Sequence, residues 1–296
     1  MVVLITGAGG QVGQCLQFIA PNYPEIEFHF CSSTDLDITK KENCEAVFSK
    51  IKPNFCINAA AYTAVDRAES EPEKAHLINV VGCRNLAQIC NQFNTILLHI
   101  STDFVFDGNS KKPYTEIDDT NPMGVYGQTK LDGEKEIQAL CKNYFIIRTS
   151  WVYSQFGTNF LKTMLRLASE KTVLSIVNDQ IGTPTNAIDL AEALVNIIVS
   201  ARCEIPNSES EILNFSNEGE CSWYDFAKKI FEHSKISIDL KPITSSEFLT
   251  AAKRPSYSVL DKTKIKKMFG IEIKTWQESL KTIGFPIDSN KGGVFH

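Results

Sequence analysis

The sequence predicts an α/β fold: a doubly wound parallel sheet with a smaller C-terminal substrate lobe. Three observations carry this. Short apolar runs alternate with helical patterns from Val2 to Thr149, the order of βαβ units. The first run leads through Gly7, Gly10 and Gly13 into an apolar-periodic helix, as in a Rossmann-type dinucleotide fold. Two later runs end in polar groups, Asn58 and Ser101-Thr102-Asp103, where such a sheet opens its ligand cleft.

Val2–Ile5 is the first strand, apolar enough to be buried on both faces. A helix follows around Val12–Ile19, then a second strand at Glu27–Cys31. Thr39 is placed to cap a helix at Lys41–Lys50. Phe55–Asn58 is the third strand. Glu71–Phe93 reads as one long helix with Pro72 in its first turn. Thr95–Ile100 is the fourth strand, and after a loop a helix carries Tyr126 and Lys130 to about Cys141. Tyr144–Thr149 is the fifth strand. Beyond it come a helix at Asn159–Ser169, a strand at Thr172–Val177, a helix at Ala187–Ser200, a polar connection at Glu204–Glu211, a strand at Ile212–Phe215 and a helix at Trp223–His233. Residues 1–155, with 172–200 contributing, are expected to form the nucleotide-binding domain. Residues 156–171 and 201–288 would form the substrate-binding lobe, with 289–296 a disordered tail.

The chain has 296 residues, 43% apolar and 22% charged, with a net charge of −5. That suits one globular protein with a substantial core. No basic block points to nucleic acid, and no apolar run is long enough to span a membrane. The nine cysteines contain no C-x-x-C pair. Buried, reduced thiols and a cytoplasmic location are the expectation.

Glycines at positions 7, 10 and 13 let the backbone turn tightly and approach a pyrophosphate at the helix N-terminus. The second strand ends at Ser32 and Ser33, without the acid that binds a ribose 2′-hydroxyl in NAD-specific folds. NADPH is therefore favoured over NADH. Tyr126 and Lys130 are four apart, so a helix places them on one face. An ammonium beside a phenol favours the phenolate and eases proton exchange. The same spacing recurs at Tyr224 and Lys228, but no strand-end hydroxyl precedes that pair.

Together the glycine loop, Asn58-Ala59-Ala60-Ala61, Ser101-Thr102-Asp103 and Tyr126-x-x-x-Lys130 resemble the extended short-chain dehydrogenase/reductases. Further matching stretches are Asn58 to Pro72, Ser101 to Gly108, Val125 to Glu134, Arg148 to Tyr153 and Asn178 to Thr185. The resemblance implies hydride transfer from NADPH, or NADH, to C4 of a dTDP-linked 4-keto-6-deoxy sugar. The implied reaction turns dTDP-4-dehydro-β-L-rhamnose into dTDP-L-rhamnose. Tyr126 would donate the proton, Lys130 would hold the nicotinamide ribose, and Thr102 would hydrogen-bond the carbonyl. Asp103 and Trp151 would contact the sugar. Gly7, Gly10, Gln11, Val12, Gly13, Ser32, Asp37, Ile38, Ala60, Ala61, Tyr62 and Thr63 would line the cofactor. Arg254 is a candidate for the diphosphate, since guanidinium pairs with phosphate oxygens.

Some members of the family bind magnesium between subunits through glutamates. The corresponding positions here are Cys15, Asp189 and the neighbourhood of Gln277 and Glu278. A thiol in place of a carboxylate removes a hard ligand, so no structural metal is expected, and the chain is expected to be a monomer or homodimer. Two other readings remain open from the sequence: a non-catalytic NADP-binding regulatory subunit, resembling the methionine adenosyltransferase β subunit, and a reductase of another nucleotide-linked keto sugar.

Overall fold

In the computed structural model, which describes residues 1–204 and 210–284, six strands form one parallel sheet. They are β1 (Val2–Thr6), β2 (Glu27–Cys31), β3 (Phe55–Asn58), β4 (Ile96–Thr102), β5 (Tyr144–Thr149) and a sixth strand, Glu211–Asn214. The order across the sheet is β2, β1, β3, β4, β5, then the sixth. The chain turns back between β1 and β3, so the crevice at their C-terminal ends is a topological switch point.

Apolar strands buried on both faces need helices on both sides. On one face α1 (Gln11–Ile19) and the Ala187–Glu204 helix pack against β1, β3 and β5 through Val3, Ile5, Leu16, Ile57, Leu190 and Leu194. On the other, Leu4, Cys56, Leu97 and Ile146 meet Phe48, Leu86, Cys90 and Ile137. Each fully buried aliphatic side chain contributes roughly 1.5–3 kcal/mol.

The lobe has its own core, built on Tyr153, Leu161, Leu174, Ile176, Phe226 and Trp276. Here the boundaries differ from those read in the sequence. Val173–Val177 pairs with Asp239–Ile243 in a separate two-stranded sheet and so belongs to the lobe. Conversely, Glu211–Asn214 pairs in parallel with β5 and completes the main sheet. A four-residue strand carries no pattern that names its neighbour. The expected tail at 289–296 and most of the expected polar connection lie outside the described residues.

Two local expectations also change. The long helix is interrupted: Pro72–His76 and Gly82–Gln92 flank a π-helical turn at Leu77–Val81. That wide turn aims buried Asn79 at Tyr62, whose backbone N donates to Asn79 Oδ1 at 2.8 Å. Thr39 does not cap the next helix, Lys41–Ile51; its hydroxyl donates to Asp37 at 2.6 Å, and Lys40 stands at the cap without a side-chain bond. Among the described helices none is long and apolar enough to cross a membrane.

Candidate active site

The glycine loop forms one wall of the crevice. Gly7 turns with φ +66°, and a Cβ there would lie 2.6 Å from Ala60 N. Only glycine allows the β1 loop to press against the chain leaving β3. Gly10 precedes α1 without any side-chain cap, so the first-turn N–H groups are not covered by a side chain of this helix. A strand–glycine–helix cradle of this kind suits a pyrophosphate. Gln11 is anchored toward the lobe: it donates to Val152 O at 3.1 Å and accepts from Asn159 at 2.6 Å. Val12 packs partly buried against the sheet.

The end of β2 is not free of acid. Asp35 folds back onto Ser32, accepting from its backbone N at 2.9 Å and its hydroxyl at 2.6 Å. Those bonds hold the Asp35 carboxyl below the usual range. A tight turn brings this carboxylate back onto Ser32. Asp37 accepts from Thr39 and pairs with Lys40 at 3.3 Å, while Ile38 is buried in the core. Across the crevice, Ala60 and Ala61 are half-buried and Thr63 is exposed. Tyr62 is buried, and its hydroxyl donates to Glu71 at 3.0 Å.

At the end of β4, the Thr102 hydroxyl donates to Asp103 Oδ1 at 3.0 Å and accepts from Phe104 N at 3.2 Å. Asp103 is 2% exposed. Burial pushes its carboxyl up to about 6, and the Ser258 and Thr102 hydroxyls offset part of that rise. Its other oxygen, Oδ2, is buried with no hydrogen-bond partner. A buried acceptor left unsatisfied is costly and suits a hydroxyl-bearing ligand.

Tyr126 stands in the first turn of the Val125–Leu140 helix. The helix comes close to the Thr102 loop because residue 127 is glycine: a Cβ there would lie 2.2 Å from Phe104 O. The Tyr126 ring meets Phe104 edge-on at 5.5 Å. Burial pushes its phenol up to about 12; the Thr102 hydroxyl lowers it and Asp103 raises it. Thr102, Asp103 and Tyr126 therefore share one pocket of charge. Lys130 is 2% exposed and lies elsewhere on that helix face. Its Nζ donates to Ile100 O at 2.7 Å and sits 3.1 Å from His99 Nε2. The expected depression of the tyrosine by the lysine is not present in this arrangement, where burial dominates. Tyr224 packs against the lobe core and Lys228 is exposed.

Trp151 follows β5 with φ +47°. Its ring stacks on Trp223 at 3.5 Å and 7°, so one face is already taken. Arg254 is bound to Asp66 through two guanidinium nitrogens, at 3.1 and 2.7 Å. The stretch from Asn178 forms a turn that ties Asp179 and Gln180 to Ser245.

The donors at the positions implied for magnesium do not suit it. Cys15 is fully buried, and burial pushes its thiol up to about 11. Asp189 accepts from Asn217 at 2.7 Å, from Ser279 and from the Lys274 ammonium at 3.3 Å. Glu278 closes a capping box with Thr275. The Lys274 ammonium already meets the Asp189 carboxylate.

His99, Asp66, Asn79, Ser258 and Trp223 were not assigned to the site from sequence. Each acts through a long-range contact that spacing does not encode. Only Asn58, in a strand-end polar position beside three alanines, carried a local signal.

The family model described as the RmlD substrate binding domain matches residues 1–285. The chain belongs to that family. An RmlD-family relative, the dTDP-4-dehydrorhamnose reductase of Aggregatibacter actinomycetemcomitans, is 41% identical over 291 residues, covering 95% of this chain and 97% of its own. The crystal structure of a dTDP-4-dehydrorhamnose reductase from Clostridium acetobutylicum superposes with a TM-score of 0.89 at 40% identity, covering 95% of this chain and 97% of that one. A Bacillus anthracis enzyme of the same name, solved in complex with NADP, gives 0.87 at 37% identity, with coverages of 95% and 97%.

Proposed function

We propose that this chain is an NADPH-dependent oxidoreductase that reduces the C4 keto group of dTDP-4-dehydro-β-L-rhamnose to give dTDP-L-rhamnose. The observation that carries the reading is the grouping of Thr102, Asp103 and Tyr126 at the C-terminal end of β4, beside the glycine crevice. The RmlD-family relatives named for this reaction support it, and the NADP complex of one of them supports the cofactor.

NADPH, when bound, supplies the hydride. The loop Gly7, Gly10, Gln11, Val12 and Gly13 would hold its pyrophosphate, with Ser32, Asp37 and Ile38 toward the adenosine. Ala60, Ala61, Tyr62 and Thr63 would flank its middle, and Lys130 would hold the nicotinamide ribose. Thr102 would turn its hydroxyl from Asp103 Oδ1 to donate a hydrogen bond to the carbonyl oxygen as charge develops there. Tyr126 then gives its proton to that oxygen. A phenol pushed up to about 12 keeps its proton through the neutral range, and an alkoxide is basic enough to take it. The orphaned Asp103 Oδ2 accepts from a sugar hydroxyl, and Trp151 offers an apolar wall. The eight cysteines whose side chains are described are free and buried, which supports a reducing, cytoplasmic setting.

Initial rates with dTDP-, UDP- and GDP-linked 4-keto sugars test the substrate. The dTDP-linked sugar should give the highest kcat/KM; preference for either other nucleotide would overturn that part of the reading.

A further inference from the structure

We infer that Trp223 is a positioning residue for Trp151. With Gly182 it forms a slot that covers both faces of the Trp151 indole and leaves the ring's edge, with its N–H, to meet a sugar hydroxyl. The last step rests on the proposed sugar contact of Trp151; the slot itself does not.

Trp151 is a bulky residue at φ +47°, a conformation that persists only where the surroundings impose it. Here the lobe imposes it. The Trp223 ring lies parallel to the indole at 3.5 Å and 7° and fills one face. Gly182 fills the other. A Cβ on Gly182 would lie 2.5 Å from Trp151 Cε2 and 2.7 Å from both Cζ2 and Nε1. Cε2 is bonded to the other two and set inward of them. An atom nearest to Cε2 therefore approaches from above the ring, not from its rim. Without a Cβ, residue 182 can lie against that face. The backbone N of Thr185 donates to Trp151 O at 3.1 Å and completes the hold.

The fold sets the width of the slot. Cys221–Ser222 pairs antiparallel with Ile181–Gly182, with Cys221 opposite Gly182. Trp223 thus stands two residues from the partner of the glycine. Ser222 closes a capping box with Asp225 at the start of the Trp223–Ser234 helix, and its hydroxyl donates to Asn178 at 2.7 Å. Phe160 packs against the Trp223 ring at 4.6 Å. One short sheet therefore fixes both walls.

The slot stands beside the crevice. Trp151 follows Thr149 by two residues, and Thr149 is in register with Thr102. Ile181, next to Gly182, donates to Ser256 O and accepts from Ser258 N, each at 2.8 Å. Ser258 is one of the hydroxyls that face Asp103. Trp151 is half-buried, and with both faces covered, what it exposes is edge. Its Nε1 has no hydrogen-bond partner among the described residues and is not among the buried orphans. An indole N–H only donates, so it selects an oxygen. A free ring face would select apolar C–H groups instead.

The test does not depend on activity. The chain has three tryptophans, so proton–nitrogen NMR gives three indole N–H signals, and Trp151→Phe identifies the one in question. Without ligand, Trp223→Leu should move the Trp151 signal downfield, because the stacked ring shields it. An unmoved signal would overturn the slot. Adding dTDP-L-rhamnose to wild-type protein holding NADP should move the signal downfield as the N–H finds an acceptor, while dTDP alone should not. An equal shift with dTDP would overturn the sugar contact. If the N–H stays in place while the sugar protons move upfield, the sugar lies on a ring face and the inference fails. In titrations, Trp223→Leu should weaken dTDP-L-rhamnose binding about three- to tenfold, the effect of one misdirected hydrogen bond, with NADPH affinity unchanged. Trp223→Phe, which can still stack, should restore most of it. Equal loss in both variants, or a parallel loss of NADPH affinity, counts against a positioning role. If wild-type protein does not bind dTDP-L-rhamnose, the proposed function fails, and the unliganded signal in Trp223→Leu still decides the slot.

Discussion

The Arg254 guanidinium donates to both carboxylate oxygens of Asp66, at 3.1 and 2.7 Å, and Ala252 N donates to the same carboxylate at 3.1 Å. Asp66 lies in the short helix after β3, and Arg254 in the chain that returns from the lobe. One acid thus fastens the lobe segment over the edge of the crevice. Asp66 and Ala252 O take N–H groups of both terminal guanidinium nitrogens and so compete with a diphosphate for Arg254. Arg254→Met is expected to raise the sugar-nucleotide KM about tenfold or more, since a charged hydrogen bond contributes ~1.5–3 kcal/mol, with little change in kcat. Asp66→Asn, which frees the arginine, should lower KM. Steady-state kinetics decide; if both variants raise KM alike, the pair is only a latch.

Asp103 gives a pH signature. Its carboxyl is pushed up to about 6 in the fold, from an ordinary value near 3.8. Between those values the folded chain keeps a proton that the unfolded chain has lost, so stability falls as pH rises through that window. The deficit is about 3 kcal/mol once both states are ionised. Urea titrations at about pH 4 and pH 7 should show Asp103→Asn gaining on the wild type at the higher pH. A constant difference between the two would refute the buried-charge account.

Asp35 places a negative charge beside Ser32 at the end of β2. A 2′-phosphate bound at this turn would feel that charge, so NADPH binding has to work against Asp35 if the phosphate sits there. Asp35→Asn should raise kcat/KM for NADPH several-fold while changing NADH little. Equal effects on the two cofactors would move the 2′-phosphate away from this turn.

Gly127 permits the close approach that sets Tyr126 over Thr102. A methyl group there would meet the Phe104 carbonyl, a backbone atom with little room to move. Gly127→Ala is expected to cost about 1–3 kcal/mol in chemical denaturation, as overpacking does. It should lower kcat more than cofactor affinity. Retained kcat would show that the tyrosine does not depend on this contact.

Much of the frame was legible in the sequence because it is local. The glycines at 7, 10 and 13 report a turn, and the apolar runs report buried strands. The polar residues at the ends of β3 and β4 report where the crevice opens. What was not legible is pairing across distance. Spacing put Tyr126 and Lys130 on one helix face, but the lysine turns to His99 and Ile100 of a neighbouring strand. Arg254 reads as a phosphate ligand until Asp66 is seen beside it. The strand end at Ser32 and Ser33 reads as free of acid until the turn brings Asp35 back to Ser32. The edge strand Glu211–Asn214 was expected in the lobe, and its parallel register with β5 puts it in the main sheet instead.

The most direct measurement is NADPH oxidation by the purified chain given dTDP-4-dehydro-β-L-rhamnose, with the product identified and Tyr126→Phe run beside the wild type. Oxidation is expected to match dTDP-L-rhamnose formed. The variant should lose about 10²- to 10⁴-fold in kcat, the usual contribution of a proton donor, while still binding NADPH. Wild-type protein that binds NADPH yet leaves both it and the sugar unchanged would contradict the account, and a fully active Tyr126→Phe would remove its proton donor.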